Sequence, residues 1–435
     1  MRLIEFFLTQ LARLYLWRYR PKIVAITGNV GKTSAKEAIA TVLKNQKHVR
    51  ASGGNLNTEL GVAATIIGDW SKEYYDEGGG TLFWVKVLMT GILRLLAPQK
   101  YPEVLVLEYA ADRPGDIRKL ARKFKPDVAV VTAVGQIPVH VEYFSGPEAV
   151  AKEKSELVRA LDQKGTAVLN FDDLAVLDMK DLAKGWTVTY GFGGGADFRA
   201  SNYEIRAGDG GEPSGIGFKI NHSVGFTPIK IGGILGKSQG YAAAVAAAVA
   251  AVFGINLVSV SEALAQYHGP KGRLKIIPGI KNSVIIDDTY NAAPLSTHIA
   301  LETLKDIGNP SRGSGQNRKI AILGDMLELG QYSVQAHQNI GDMAGKIANI
   351  LVCVGEKAKF IADSAANEMP KENIYWFHNS DEAKAKVQEL VQEKDVILVK
   401  GSQGMRMEKI VEEVMAEPES AGELLVRQSK KWKVK

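Results

Sequence analysis

The residues best suited to chemistry begin at Gly31-Lys32-Thr33, which follows an apolar, β-branched run, Ile23 to Ile26, and leads into helix-spaced Lys36 to Ala40. A strand, a glycine turn and a helix N-terminus in that order form an anion site. Backbone N–H groups converge there, and the helix dipole favours negative charge. Within Gly28-Asn29-Val30-Gly31-Lys32-Thr33-Ser34, Lys32 can reach the outer phosphates of a nucleotide and the Thr33 hydroxyl can ligate its Mg²⁺. Ile26 stands where the generic phosphate loop has its first glycine, so the motif is a shortened GxxGKT. 

Further polar residues fall just past predicted strands. Val104 to Tyr109 reads as a buried strand carrying a carboxylate, and Glu108 at its end is a natural metal ligand. Asp127 to Ala133 is the next strand, and His140 lies in the loop Gly135 to Phe144 beyond it. Asn57 and Thr58, in the Gly/Asn-rich turn Ala51 to Gly61, become polar contacts if a nucleotide sits nearby. Lys152 and Lys154 belong to a helical stretch, Pro147 to Glu156, where two lysines on a charged helix ordinarily mark a solvated face. Cys353, in the run Ile350 to Val354, reads as a buried strand residue. A single cysteine excludes an internal disulfide framework and fits a reducing cytoplasm.

The elements that must position these residues require more than one core. At 435 residues two or three domains are expected, and 46% hydrophobic with 23% charged residues describes a globular α/β chain. The net charge of +6 is spread over interspersed Lys, Arg, Asp and Glu, with no zinc-finger, RNA-recognition or basic-stripe pattern, so nucleic acid is not an expected partner. Trp186 to Lys230 alternates in short runs with Gly-rich turns, an antiparallel patch; Gly236 to Phe253 and Val258 to Tyr267 read as helices. Tyr74 to Gly80 reads as a loop, and His268 to Arg273 as a hinge. Beyond it, strands at 284–288, 319–324, 350–355 and 396–401 suggest a smaller parallel sheet. Asn309 to Gln316 reads as a polar loop, and the charged tail after Glu417 as frayed. The expected fold is a central P-loop parallel-sheet ATPase domain with an antiparallel patch, plus a Rossmann-like C-terminal α/β domain. The boundaries are 1–21 for an amphipathic helix, 22–272 and 273–435. Met1 to Tyr19 fits a helix packed on the first domain. It also fits an interfacial helix on anionic lipid at the inner face of a membrane, although the packed placement is favoured. The apolar Thr81 to Ala97 is marginal for a membrane span and reads as a buried or surface-docking helix.

Taken in order, eight stretches resemble the Mur ligases, ATP-dependent amide-forming enzymes of cell-wall precursor synthesis, and above all the branch that adds D-alanyl-D-alanine. They are Thr27 to Ser34, Gly54 to Gly61, Glu108 to Ile117, His140 to Glu156, Gly272-Arg273, Asp287 to Pro294, Gly324 to Gly330 and Lys400 to Glu408. The resemblance implies that ATP phosphorylates a peptide carboxylate and an amine then displaces phosphate. It also implies ATP and two Mg²⁺ ions, with Lys32 and Thr33 on the β/γ-phosphates and first Mg²⁺, Glu108 a further ligand and His140 on the second. Lys154 would be a carbamylated metal ligand, which reverses its solvated reading. Arg273 would meet the phosphates and Asp288 the ribose. Asn291, Glu328, Lys400 and Arg406 would serve the incoming amino component. The partners implied are a peptidoglycan-precursor peptide and D-Ala-D-Ala, with the protein a cytoplasmic monomer. Departures are Ser238, Gln239 and Ala242, which replace the family's adenine-contacting His-Asn and Asn, and the single helix before the phosphate loop where the branch has a UDP-gripping domain. The alternatives are a folylpolyglutamate-synthetase-like ligase or a catalytically silent ATP-binding scaffold.

Overall fold

The computed structural model describes residues 2–54, 56–97, 99–223, 225–308, 317–429 and 432. The expected polar loop at 309–316 lies outside them, as does Asn55 in the Gly/Asn-rich turn. Six strands, β1 (Lys22–Thr27), β2 (Val49–Ala51), β3 (Val104–Glu108), β4 (Val128–Val131), β5 (Thr166–Asn170) and β6 (Trp186–Gly191), run parallel in the order β2-β3-β1-β4-β5-β6. Then β7 (Phe198–Ala207), β8 (Pro213–His222) and β9 (Gly225–Gly232) extend the same nine-stranded sheet; β7, β8 and β9 are antiparallel to one another. The chain leaves β1 toward β2 and β3, then returns to the other side of β1 for β4. The carboxyl ends of β1 and β4 therefore border the crevice where such sheets bind ligands.

Because successive strand residues point to opposite faces, this sheet has two cores. Val24, Ile26, Val106 and Val130 pack against α2 (Lys32–Lys44) and the alanine-rich helix Lys237–Val252. Ile23, Ala25, Leu107 and Val131 face a core shared with α1 (Arg2–Tyr19), α3 (Glu59–Ile67), α4 (Ser71–Glu77), α5 (Thr81–Leu96), α6 (Asp116–Lys123) and α7 (Pro147–Arg159). The N-terminal helix α1 is packed: Leu8, Leu11, Ala12 and Tyr15 are buried, and the Tyr15 hydroxyl donates to the Gly91 carbonyl at 2.8 Å. Gly91 allows this close packing, since a Cβ there would lie 2.8 Å from Leu11 and 2.6 Å from Ile67 and would force their methyl groups aside.

The second sheet has the order β10-β11-β15-β12-β13-β14, built from β10 (Lys275–Pro278), β11 (Val284–Asp288), β12 (Lys319–Gly324), β13 (Ile350–Val354), β14 (Ile374–Phe377) and β15 (Val396–Lys400). All neighbours are parallel except β10 and β11. One face joins the core of the first lobe and the other has its own.

Five expectations change. Helix α4 runs from Ser71 to Glu77, into the loop expected at 74–80, because Tyr74 packs against Phe83 and Trp84. Strands β10 and β14 were not anticipated; each is four residues long and only partly buried, and so lacks the continuous apolar run that marks the others. Strands β7 and β8 are ten residues long rather than short, and the helix expected at 258–267 spans Leu257–Leu264. The tail after Glu417 is tied down: Arg427 pairs with buried Glu408 at 2.7 Å and donates to the carbonyls of Thr289 and Tyr290. Removing one partner of a buried ion pair strands the other charge. Arg427→Ala is expected to destabilise the protein by about 3 kcal/mol, the low end for such a break because Arg406 also holds Glu408. Urea unfolding measures it, and a change under about 0.5 kcal/mol would mean the tail is not an anchor.

Candidate active site

The loop between β1 and α2 is shaped for close approach. Gly28 has φ 135° and Gly31 φ 91°, and a Cβ on Gly28 would stand 2.0 Å from the Thr132 hydroxyl. The Asn29 and Val30 amides donate to the Ala133 carbonyl at 2.7 and 3.1 Å, fixing the loop to the end of β4. Lys32 folds back over this loop, its ammonium 2.8 Å from the Gly28 carbonyl and 3.4 Å from that of Asn29. Burial lowers the Lys32 pKa, and the charge of Glu108 opposes that.

Glu108, at the end of β3, is 3% exposed, and several polar groups meet it. Its carboxylate lies 3.3 Å from the Thr33 hydroxyl, 3.4 Å from the Asn57 amide and 3.7 Å from the Lys36 ammonium, and its backbone N–H donates to Ser52 at 3.2 Å. Lys36 is as buried as Glu108 and went unremarked in the sequence. Its signal was there: a lysine on the inner face of the helix that follows the loop, four residues after Lys32. Thr58 begins α3 without a side-chain cap, so its hydroxyl is not committed to the helix.

Lys154 is not solvated: it is 2% exposed on α7. Burial, reinforced by the nearby charge of Lys32, lowers its pKa to about 7, against the pull of Glu153, Asp112 and Asp116. No hydrogen bond or ion pair holds its ammonium among the described residues. Its neighbour Glu153 accepts from the Gly115 and Ile117 amides at the start of α6, both at 2.8 Å, which fixes α7 in place. His140 takes the left-handed conformation, φ 65°, with Nε2 3.7 Å from Asp112 and Nδ1 2.7 Å from Glu328. Asp112 thus belongs to the fields of Lys32 and Lys154 and also faces His140. The structure brings Lys32, Thr33, Glu108, Lys154 and His140 into one neighbourhood, with Glu328 reaching in from the second lobe.

Other residues occupy a second arc. Arg273 stacks over Tyr290 at 4.2 Å, and its carbonyl accepts from Gln239, which also accepts from the Tyr267 hydroxyl. Tyr267 donates as well to the Ser34 carbonyl, at 3.2 Å. Gln239 is therefore a buried link between the phosphate loop and the hinge, while Ser238 and Ala242 line a cavity of about 1420 Å³. That cavity opens beside Val30, Gly31, Gly135 and Tyr241 and reaches His298 and Asn339 of the second lobe, enough room for a nucleoside. Glu108, His140 and Lys154 are not in its wall. A smaller pocket joins Thr33 and Ser34 to Arg273 and Asp288.

Two residues expected to meet substrate are engaged elsewhere. The Lys400 ammonium is buried, 2.6 Å from Asp288 and 2.9 Å from the Asn291 carbonyl; Arg406 is held by Glu408 at 2.6 Å and by the Trp432 carbonyl. Asn291 accepts from Ala292 and Gln403. These contacts order the loops after β11 and β15. Among the described residues no three His, Cys, Asp or Glu side chains converge as a metal cage. The Thr33–Glu108 pair nevertheless suits Mg²⁺, which keeps several waters and takes few protein oxygens when phosphates supply the rest.

Two family models match: the Mur ligase middle domain over residues 89–250 and the glutamate ligase domain of the Mur ligases over residues 272–403. The chain is 28% identical over 415 residues to a UDP-N-acetylmuramoyl-tripeptide–D-alanyl-D-alanine ligase of Bacillus subtilis, covering 94% of this chain and 79% of that protein. The MurF ligase of Thermotoga maritima, solved in complex with ADP, superposes with a TM-score of 0.75 at 25% identity, over 93% of this chain and 82% of that one. MurF from Acinetobacter baumannii gives 0.73 at 25% identity, over 93% and 79%. With the middle and C-terminal domains matched in order on the observed two-sheet fold, the chain belongs to the Mur ligase family.

Proposed function

We propose that the protein is an ATP-dependent ligase of peptidoglycan-precursor synthesis that joins D-alanyl-D-alanine to a peptide carboxylate, releasing ADP and phosphate. The curated relatives carry that activity in their names, which favours it over a folate-type ligase or a silent scaffold. The observation that carries the chemistry is the meeting of the Lys32 loop, the Thr33–Glu108 pair and buried Lys154 around Asp112. The division of labour proposed is 22–272 for the nucleotide and 273–435 for the amino component, with 1–21 as a helical extension.

In this reading the Gly28–Ser34 amides and Lys32 hold the β/γ-phosphates, and Arg273 approaches them from the hinge. The large cavity takes the nucleoside, with Ser238 and Ala242 in its wall and Asp288 near the ribose. Mg²⁺, when bound, neutralises charge that builds on the transferred and leaving oxygens. Thr33 and Glu108 would hold one such ion. His140 and Lys154 would hold a second if Lys154 is carbamylated, because an ammonium is no ligand and a carbamate is. That conversion needs a neutral amine to attack CO₂, and a lysine titrating near pH 7 supplies one where an ordinary lysine does not. Lys36 keeps Glu108 in place, and Asn57 orients its other oxygen. Glu328 and Asn291 present the second lobe to the reacting carboxylate.

ADP release should require both the UDP-N-acetylmuramoyl tripeptide and D-Ala-D-Ala. Release with L-glutamate and a folate instead, or nucleotide binding without turnover, would overturn the assignment. Glu108→Gln should raise the Mg²⁺ concentration needed and lower turnover about 10²-fold or more, as for a lost charge-stabilising group. A magnesium titration of the rate checks both. Lys154→Ala should lose turnover on the same scale of about 10²-fold with an unchanged circular dichroism spectrum, and bicarbonate should not restore it. In wild-type protein freed of CO₂, bicarbonate should restore the rate. Because the amine is neutral only above its lowered pKa and carbamate formation releases a proton, more total bicarbonate should be needed at pH 6 than at pH 8. A rate indifferent to bicarbonate at both pH values would contradict the carbamate.

A further inference from the structure

Nineteen large apolar side chains are exposed among the described residues, and eleven of them sit on α1 and α5. On α1 these are Leu3, Phe6, Phe7, Leu14 and Trp17; Leu3, Phe7, Leu14 and Trp17 recur at helical spacing on the side opposite buried Leu8, Leu11, Ala12 and Tyr15. On α5 the exposed stripe is Leu82, Val85, Met89, Ile92, Leu93 and Leu96, opposite buried Phe83, Trp84, Val87 and Gly91. Trp17 is 73% exposed and Leu82 87%, so these are not edges of a packed core. Both helices cover the same core over α3 and touch each other through Tyr15, Leu11 and Gly91, so their outer stripes turn away from the protein in one layer. 

A patch of this extent on a folded protein marks a surface that is covered in use. The charges on it say by what. The outer faces carry Arg13, Arg18 and Lys86 against one acid, Glu5, while Arg94 turns inward over Trp70. Exposed Arg20 follows directly, and exposed Trp17 stands beside Arg18 at the same end. Two copies meeting through this face would bring two net-positive surfaces together. An anionic bilayer surface satisfies both features: the apolar stripes enter the acyl boundary, while the cations stay level with the headgroups and the tryptophan sits at the interface. Neither helix is long and apolar enough to cross a membrane.

We infer that α1 and α5 form a two-helix platform that docks the protein peripherally on an anionic lipid bilayer. This assignment is independent of the ligase reading, since none of its residues belongs to the candidate active site.

The test is flotation of the full chain with vesicles of phosphatidylglycerol and, separately, of phosphatidylcholine, at low salt. Binding to phosphatidylglycerol vesicles should exceed binding to phosphatidylcholine by about tenfold or more, and fall as salt is raised. The double variant Phe7→Glu, Leu93→Glu alters only exposed positions. It should lose about tenfold or more of the binding at an unchanged thermal midpoint. Arg13→Glu with Lys86→Glu should weaken binding to phosphatidylglycerol alone. Wild type that stays with the unbound fraction on phosphatidylglycerol overturns the proposal. So does a double variant that binds as well as wild type. A concentration-dependent dimer that the double variant abolishes, without vesicle binding by either protein, would assign the face to a second copy instead.

Discussion

A carboxylate placed in the interior of a protein must be answered by nearby donors and cations, and Glu108 is such a group. Thr33 and Lys36 from one face of α2, and Asn57 and Ser52 from the turn before α3, all turn toward it or its backbone. Isolating that charge would cost several kcal/mol, so the loop after β1, the helix α2, the turn before α3 and the end of β3 are held in one relative position. The phosphate loop is rigid for the same reason: its amides are tied to Ala133, and Gly28 has no room for a side chain beside Thr132. A nucleotide and a divalent ion bound as proposed would meet a centre already formed by the folded chain.

The second lobe meets this fixed centre through a small number of polar contacts. Glu328 reaches His140, and Arg273 is sandwiched between the Gln239 link and the ring of Tyr290. Gly272 has φ 66° and would place a Cβ 2.9 Å from the Tyr290 amide, so the turn that carries Arg273 tolerates no side chain at that point. Tyr290 in turn is braced from below by Arg427, whose guanidinium ends on the buried Glu408. A residue close to the end of the chain thereby supports the residue on which Arg273 stacks.

Much of this was legible in order of sequence. Long apolar β-branched runs announced β1, β3, β4, β5, β12, β13 and β15, and placed Glu108 and the loop before His140 at strand ends, because parallel strands buried on both faces have no other composition. Helical periodicity found α1 and α2. What escaped were features decided by tertiary contact. Strands β10 and β14 are half-buried edges, and α4 exists because its tyrosine has aromatic neighbours. The burial of Lys154 could not be seen on a helix rich in charge, since only the fold determines which lysine faces inward. Lys400 and Arg406 were expected to serve the amino component but are paired with Asp288 and Glu408, partners far away or two residues on. Gln239 and Tyr267 form a bridge that no local pattern encodes.

The apolar core that begins beneath β1 does not stop at the hinge; it continues through Leu301 and Leu304 into Leu323 and Leu398 of the second sheet. Two bodies joined by a greasy seam cannot part like the covers of a book without wetting it. A swing about 268–273 that slid one set of side chains along the other would expose less apolar surface than one that opened the seam. A closing motion built on this seam would be one of shear rather than of opening.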